Sequence, residues 1–214
     1  MSNKEEIKQR ILEGAKDLFA KYGFNRVKTD DLANQLGISK RTIYEHFPSK
    51  ESLFEEVINL ELQETKSKLD AIVYRIEHEE KVNFIEELQN LLDLSLSSSY
   101  TFSKEFFGDV KKYIPHAWKK IICFDEELKK ANTSKIAEYG KRQGYFKDDI
   151  NYDVVFLMHD FIFQNMLDPN ILATLPLTAR DAVRIIYDVM FTGVLTDKGR
   201  HDYEKTKKRM KSNE

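Results

Sequence analysis

Residues 29–50, TDDLANQLGISKRTIYEHFPSK, constrain this chain more tightly than any other stretch. Thr29 is the expected N-cap of a short helix, and Asp30 and Asp31 put negative charge at its positive end. Leu32, Ala33 and Leu36 share one face of that helix. Gly37 stops it, because a residue without a Cβ takes the left-handed conformation cheaply. Ser39 caps a second short helix, in which Ile43 and Phe47 lie one turn apart and face inward. Ala33 is small where the two helices would cross, so their backbones can approach. With Ile43 and Phe47 turned in, Lys40, Arg41, Thr42, Tyr44 and His46 are left around the outer surface. A short helix with donors near its start has the shape and chemistry of a major-groove reader, so the segment reads as a helix-turn-helix.

At these residues a family resemblance emerges. GISKRTIYEHFPSKESLF, Gly37 to Phe54, closely resembles the signature of tetracycline-repressor-type (TetR-family) transcriptional regulators. The upstream stretch ILEGAKDLFAKYGFNRVKTDDLA, Ile11 to Ala33, is similar to the family's first helix and its entry into the motif. The resemblance ends near Phe54; beyond it the chain shows only compatible helical character. It implies double-stranded DNA with a palindromic operator as a partner, a homodimer, and a body that binds a small-molecule effector. Carried over position by position, it places Lys40, Arg41, Thr42 and His46 at base edges or nearby phosphates. Tyr44 and Lys50 fall to phosphates, Thr29 and the amides behind it to an anion, and Lys28 to the backbone, with Ser39 at the start of the same surface. Plainer readings stand beside these. Lys40 and Arg41 can be ordinary solvated charges, His46 can pack or cap, and Glu45 is either an exposed spacer or a cytosine reader.

Helical periodicity continues on both sides of the motif. Ile7, Ile11, Ala15, Leu18, Phe19 and Tyr22 mark a first helix that Gly23 ends. Pro48 and Ser49 break the chain, and a long helix runs from Lys50 to about Glu77. Further helices are expected over Val82–Leu96, Ser103–Tyr113, His116–Gln143 and Tyr152–Leu167, the last ended by Asp168-Pro169. Thr178 caps one more. SLSSSY, Ser95 to Tyr100, reads as a loop or frayed end. The fold expected is all-α with about nine helices. A three-helix DNA-binding domain occupies residues 1–50, and a helical ligand-binding and dimerisation domain occupies 51–214.

Tyr152–Leu167 is apolar nearly all round, and the helix after Thr178 carries a second apolar stripe. A helix apolar on every side must be buried on every side. It is either a deep intramolecular helix or half of a two-fold interface in which Val155, Met158, Ile162, Ala182, Val183, Ile186, Val189 and Met190 meet a second subunit. Aromatics in the middle of the chain are either filled core or the lining of an apolar pocket. Phe106, Phe107, His116, Trp118, Phe161 and Asn165 are the candidates for a moderately hydrophobic effector.

Charge is unevenly placed. Residues 1–50 hold ten Lys/Arg against seven Asp/Glu, and the rest holds twenty-four against twenty-nine, within a net charge of −2. A basic N-terminal unit on an acidic body fits phosphate attraction at one end. The basic run Lys198–Lys211 reads as a solvated helix end or a further DNA contact. The single Cys123 excludes an internal disulfide and is expected to be a packed, inert thiol in a reducing compartment. No secretory signal or membrane-length apolar run is visible, so a cytoplasmic protein without membrane attachment is expected. No phosphate loop, HExxH or Cys/His metal spacing occurs, which leaves no catalytic residue, metal or cofactor to nominate and disfavours an enzyme. The remaining alternative is a helical adaptor or small-molecule-binding protein that does not bind DNA.

Overall fold

The spacing of apolar residues and the position of a few glycines and serines decide where the helices lie. In the computed structural model, which describes residues 3–79, 81–101, 104–166, 174 and 176–211, they are α1 (Asn3–Arg26), α2 (Thr29–Leu36), α3 (Lys40–His46), α4 (Lys50–His78), α5 (Phe84–Thr101), α6 (Lys104–Tyr113), α7 (Pro115–Arg142), α8 (Tyr152–Met166), α9 (Ala179–Val194) and α10 (Asp197–Lys211). The all-α class is as expected, with ten described helices rather than about nine. The described residues hold no strand, only an isolated antiparallel bridge between Phe146 and Leu195. None of the described helices is long and apolar enough to cross a membrane.

Two large cores organise these helices. The first gathers Ile11, Ala15 and Phe19 of α1, Leu32 of α2, Ile43 of α3, Phe47, and Leu53, Phe54 and Val57 of α4. Each fully buried Phe, Leu or Ile contributes roughly 1.5–3 kcal/mol of transfer free energy. Val110 of α6, Ile114 at the cap of α7 and Ala117 of α7 close this same core, so packing runs across residue 50 without a break. The second core joins Ile72, Val73 and Ile76 of α4 to Phe84, Ile85 and Leu88 of α5, Ile136 of α7, Tyr152 of α8, Val194 of α9 with Leu195 after it, and Tyr203 of α10. Between Ile58 and Ile72 no residue of α4 is buried. That helix is therefore anchored at both ends, in different cores.

Several expectations change. Ser95–Tyr100 is helical, because α5 continues to Thr101. A serine costs no more than roughly 0.7 kcal/mol in a helix interior, so a run of them does not have to stop one. Lys198–Lys211 is not a loose basic end but most of α10. Tyr203 fixes it: the ring is fully buried, and its hydroxyl donates to Asp188 Oδ1 at 2.9 Å while Lys207 Nζ reaches Asp188 Oδ2 at 2.5 Å. Cys123 is exposed rather than packed, since the outer side of α7 carries it. The proposed terminator Asp168-Pro169 and Leu167 lie outside the described residues.

The α4–α5 contact holds a half-buried ion pair. Arg75 donates to Glu87 through Nε and Nη2, both at 2.7 Å, and Asn90 Nδ2 adds a third bond at 3.0 Å. Burial alone would raise the Glu87 pKa, but the bonds from Arg75 and Asn90 and the Arg75 charge hold it below the ordinary value of 4.5. A carboxyl whose folded pKa is depressed stabilises above the unfolded value and loses that contribution as pH falls through the folded one. Urea unfolding of Glu87→Gln should therefore show a deficit against wild type at neutral pH. That deficit should shrink steadily below about pH 4.5, the unfolded value, as the wild-type carboxyl protonates; a deficit independent of pH would remove Glu87 as the titrating group.

Candidate nucleic-acid interface

The turn between α2 and α3 follows from two residues. Gly37 sits at φ 65°, ψ 33°, in the left-handed region, and its amide closes back on Ala33 and Asn34. Ser39 then accepts a hydrogen bond from the Thr42 amide at 3.0 Å and shares another with the Thr42 hydroxyl at 2.8 Å. Ile43 and Phe47 are buried in the first core, so α3 has one permitted rotation. It leaves Lys40, Arg41, Tyr44 and Glu45 exposed, with Thr42 and His46 half-buried.

Thr29 is not the cap of α2 but its first residue. The flanking position is Lys28, whose side chain has no acceptor; Asp31 Oδ2 accepts from the Lys28 amide at 3.2 Å and orders the helix start instead. Thr29 Oγ1 is thereby released to meet the Tyr44 hydroxyl at 3.4 Å, tying the start of α2 to the middle of α3. Lys28 is exposed beside them.

The cations of this face do not point freely outward. Lys40 Nζ donates to Asp30 Oδ2 and Arg41 Nε to Glu45 Oε1, each at 3.0 Å. The Asp30 carboxylate holds the Lys40 pKa above its usual value, first through the hydrogen bond and then through its charge. Lys50 departs furthest from expectation. Its ammonium lies 4.3 Å from the centre of the Phe24 ring, half-buried, and desolvation there lowers its pKa. It belongs to the packing at the head of α4 more than to the exposed face. His46 has its ring beside Phe47, 6.5 Å between centres. Sequence reasoning passed over Asp30 as a partner and left Glu45 open. The i,i+4 spacing of Arg41 and Glu45 was the available signal for one of the two pairs.

Of the candidate effector residues whose side chains are described, His116, Trp118 and Phe161 stand in different surroundings. His116 Nε2 pairs with Glu55 Oε1 at 2.6 Å on the outside of α4 and α7. Trp118 packs against the first core, because the start of α7 is drawn there by Ile114 and Ala117. Phe161 is exposed on α8, and Asn165 donates to the Phe161 carbonyl at 2.6 Å. The side chains of Phe106 and Phe107 lie outside the described residues.

The expected interface stripe is divided. Ala182 and Val183 are buried within the subunit, Val183 in a small core with Leu92 and Tyr187. They face α5, which the sequence pattern of α9 alone could not indicate. Val155, Ile162, Ile186 and Met190 are half-buried. Met158 and Val189 are exposed, and beside them stand Val154, Leu157, Phe161 and Ile185, with Leu157, Val189 and Phe161 each more than 65% open at 68%, 67% and 70%. His159 of α8 and the Tyr187 hydroxyl of α9 hydrogen-bond at 2.8 Å and hold the two helices side by side.

Comparison with known proteins agrees with this geometry. The profile of bacterial regulatory proteins of the tetR family matches residues 11–57, which are α1 to the first turns of α4. Over nearly its full length the chain is similar to the HTH-type transcriptional regulator YvaF of Bacillus subtilis, at 27% identity covering 88% of this chain and 96% of that protein. It is also similar to IcaR of Staphylococcus aureus, an HTH-type negative transcriptional regulator of the biofilm operon icaADBC, at 29% identity over 50% of this chain and 48% of the relative. A transcriptional regulator of Saccharomonospora viridis solved in complex with choline shares the fold, with a TM-score of 0.65 at 21% identity over 90% of this chain and 99% of that one.

The Ser39 cap can be tested alone. Ser39→Ala should lower unfolding free energy by about 0.5–2 kcal/mol, and Ser39→Asp should restore most of it, both read from urea denaturation. Equal stability of the alanine variant and the wild type would contradict the capping geometry.

Proposed function

We propose that this chain, which belongs to the tetR family of bacterial regulatory proteins, is a repressor that binds a palindromic operator as a homodimer and is released by a small molecule. The observation that carries the reading is the fixed rotation of α3: its apolar side is locked by Ile43 and Phe47 while hydroxyl and cationic groups occupy the other side. On this reading Arg41, Lys40 and Thr42 reach base edges or nearby phosphates. Tyr44, Thr29, Lys28 and the α2 start hold the backbone, with Ser39 and His46 at the margins and Lys50 a minor contributor. Residues 1–50 then form the DNA-binding domain and 51–214 the ligand-binding and dimerisation domain.

The open face of α8 and α9 supports the dimer. Six large apolar side chains there, Val154, Leu157, Met158, Phe161, Ile185 and Val189, are exposed on two helices held side by side. The same pair on a second copy covers them by two-fold symmetry and makes a four-helix interface. Such a dimer carries two α3 helices, and consecutive major grooves on one side of DNA are roughly 34–36 Å apart.

Release by an effector needs a difference in free energy between two spacings of those helices. A coupling of about 1–3 kcal/mol changes DNA affinity some 5–150-fold. The mechanical link is supported by the first core, where Val110, Ile114 and Ala117 pack with the DNA unit. It is supported again by Asp109 of α6, which accepts a hydrogen bond from the Asn25 amide at 2.7 Å. A shift of α6 would move the end of α1 with it. The choline complex of the S. viridis protein is a case of this fold holding a small molecule; a moderately hydrophobic effector is proposed here.

Two measurements test the reading. Arg41→Ala should weaken binding to a palindrome selected from a random library by about 5–150-fold, as expected for loss of about 1–3 kcal/mol at a bidentate base contact, and relax preference at one position of each half-site. Unchanged affinity and preference would take Arg41 out of the interface. In sedimentation, wild type should be dimeric at micromolar concentration and Val189→Asp largely monomeric; a monomeric wild type would contradict the dimer.

A further inference from the structure

Both cations at the start of α3 are already paired inside the chain. Lys40 reaches across to Asp30 at the head of α2, and Arg41 closes on Glu45 within α3, each at 3.0 Å. All four side chains are open to water, from 47% for Lys40 to 89% for Arg41. Packing does not impose the pairs. Helix stability does not account for Glu45 either. It stands next to the last residue of α3, where a negative charge opposes the helix dipole, and the Arg-then-Glu order is the weaker arrangement of an i,i+4 pair.

We infer that Asp30 and Glu45 are specificity-determining residues, acting as internal stand-ins for DNA phosphate that keep Lys40 and Arg41 from engaging non-operator DNA. The inference rests on the DNA-binding reading above. A loose, sequence-independent complex offers these cations only phosphate oxygens in a watery gap. Exchanging a carboxylate oxygen already at 3.0 Å for one of those gains little, so the pairs stay closed. An operator offers Arg41 a bidentate acceptor such as guanine O6 and N7, which matches the guanidinium fork and opens its pair. The carboxylates therefore withhold affinity from the wrong sequence and subtract little from the right one. A cation that stays paired also contributes nothing to counterion release, so the salt dependence separates the two complexes.

The test uses the full chain and fluorescence anisotropy with two duplexes: the tightest binder from a randomised palindromic library, and the same bases shuffled. Salt is varied from about 50 to about 200 mM KCl. Asp30→Asn with Glu45→Gln should raise affinity for the shuffled duplex about tenfold. It should also steepen that duplex's log K against log salt slope by roughly 1.8, the increment for two further phosphate contacts. The selected duplex should gain less than about threefold, with its slope nearly constant. Asp148→Asn with Asp149→Asn, exposed acids before α8, controls for net charge and should change neither duplex. Should the double variant lose thermal stability through Asp30, Glu45→Gln alone should show about half the effect on the shuffled duplex. Equal gains on both duplexes, or none on the shuffled one, would overturn the inference while leaving DNA binding intact. A wild type that retains neither duplex would overturn the DNA-binding reading and this inference with it.

Discussion

Three phenylalanine rings fix the relation between the first three helices and α4. Phe54 is fully buried near the head of α4, with its ring edge-on to Phe19 at 4.9 Å and to Phe24 at 5.0 Å. Rings at these separations interlock in few arrangements, so the end of α1 and the beginning of α4 cannot turn independently. Gly23 makes the arrangement possible: at φ 77° it breaks α1 and swings Phe24 back onto the cluster. The Lys50 ammonium over the Phe24 ring closes the outer side. This ring cluster packs in the same core as Ile43 and Phe47, the residues that set the rotation of α3.

Rigidity at the head of α4 contrasts with the stretch that follows. Leu53, Phe54, Val57 and Ile58 are buried in the first core, Ile72, Val73 and Ile76 in the second, and nothing between them is buried. Half-buried Leu60 and Leu62 lean on the first core and Leu69 on the second, while Lys16 reaches Glu61 and Glu64 from α1 and Lys120 reaches Asn59 from α7. The Lys16–Glu61 pair is largely covered, whereas the Lys120 contact is exposed and individually weak. A helix rooted in both cores links displacement of one to the other.

Much of this was legible in the chain itself, for a definite reason. Ile11, Ala15 and Phe19 repeat at helical spacing, Gly37 and Ser39 punctuate where they should, and Ile43 with Phe47 leaves only one outward side for α3. These are local rules, and local rules are readable. What was missed depends on neighbours distant in sequence. Ala182 and Val183 look like their exposed neighbours Ile185 and Val189 along α9, and only the position of α5 separates them. Tyr203 turns a basic run into a packed helix because Asp188, a helix earlier, accepts its hydroxyl. Lys50 reads as a phosphate contact until the ring of Phe24 is found beneath it. Thr29 loses the capping role because the Asp31 carboxylate, two residues on, reaches the Lys28 amide. His116, Trp118 and Phe161 stand in different surroundings for the same cause: an aromatic residue carries no mark of which cavity, if any, it lines.

A symmetric pair of α3 helices, as proposed, reads two half-sites. Hydroxyl-radical footprinting on a duplex selected by the full chain addresses it directly. Two equivalent protected patches related by a dyad, with centres about 10–10.5 base pairs apart or a multiple of that, are the predicted result. A single patch without a dyad, or uniform protection along the duplex, would contradict it.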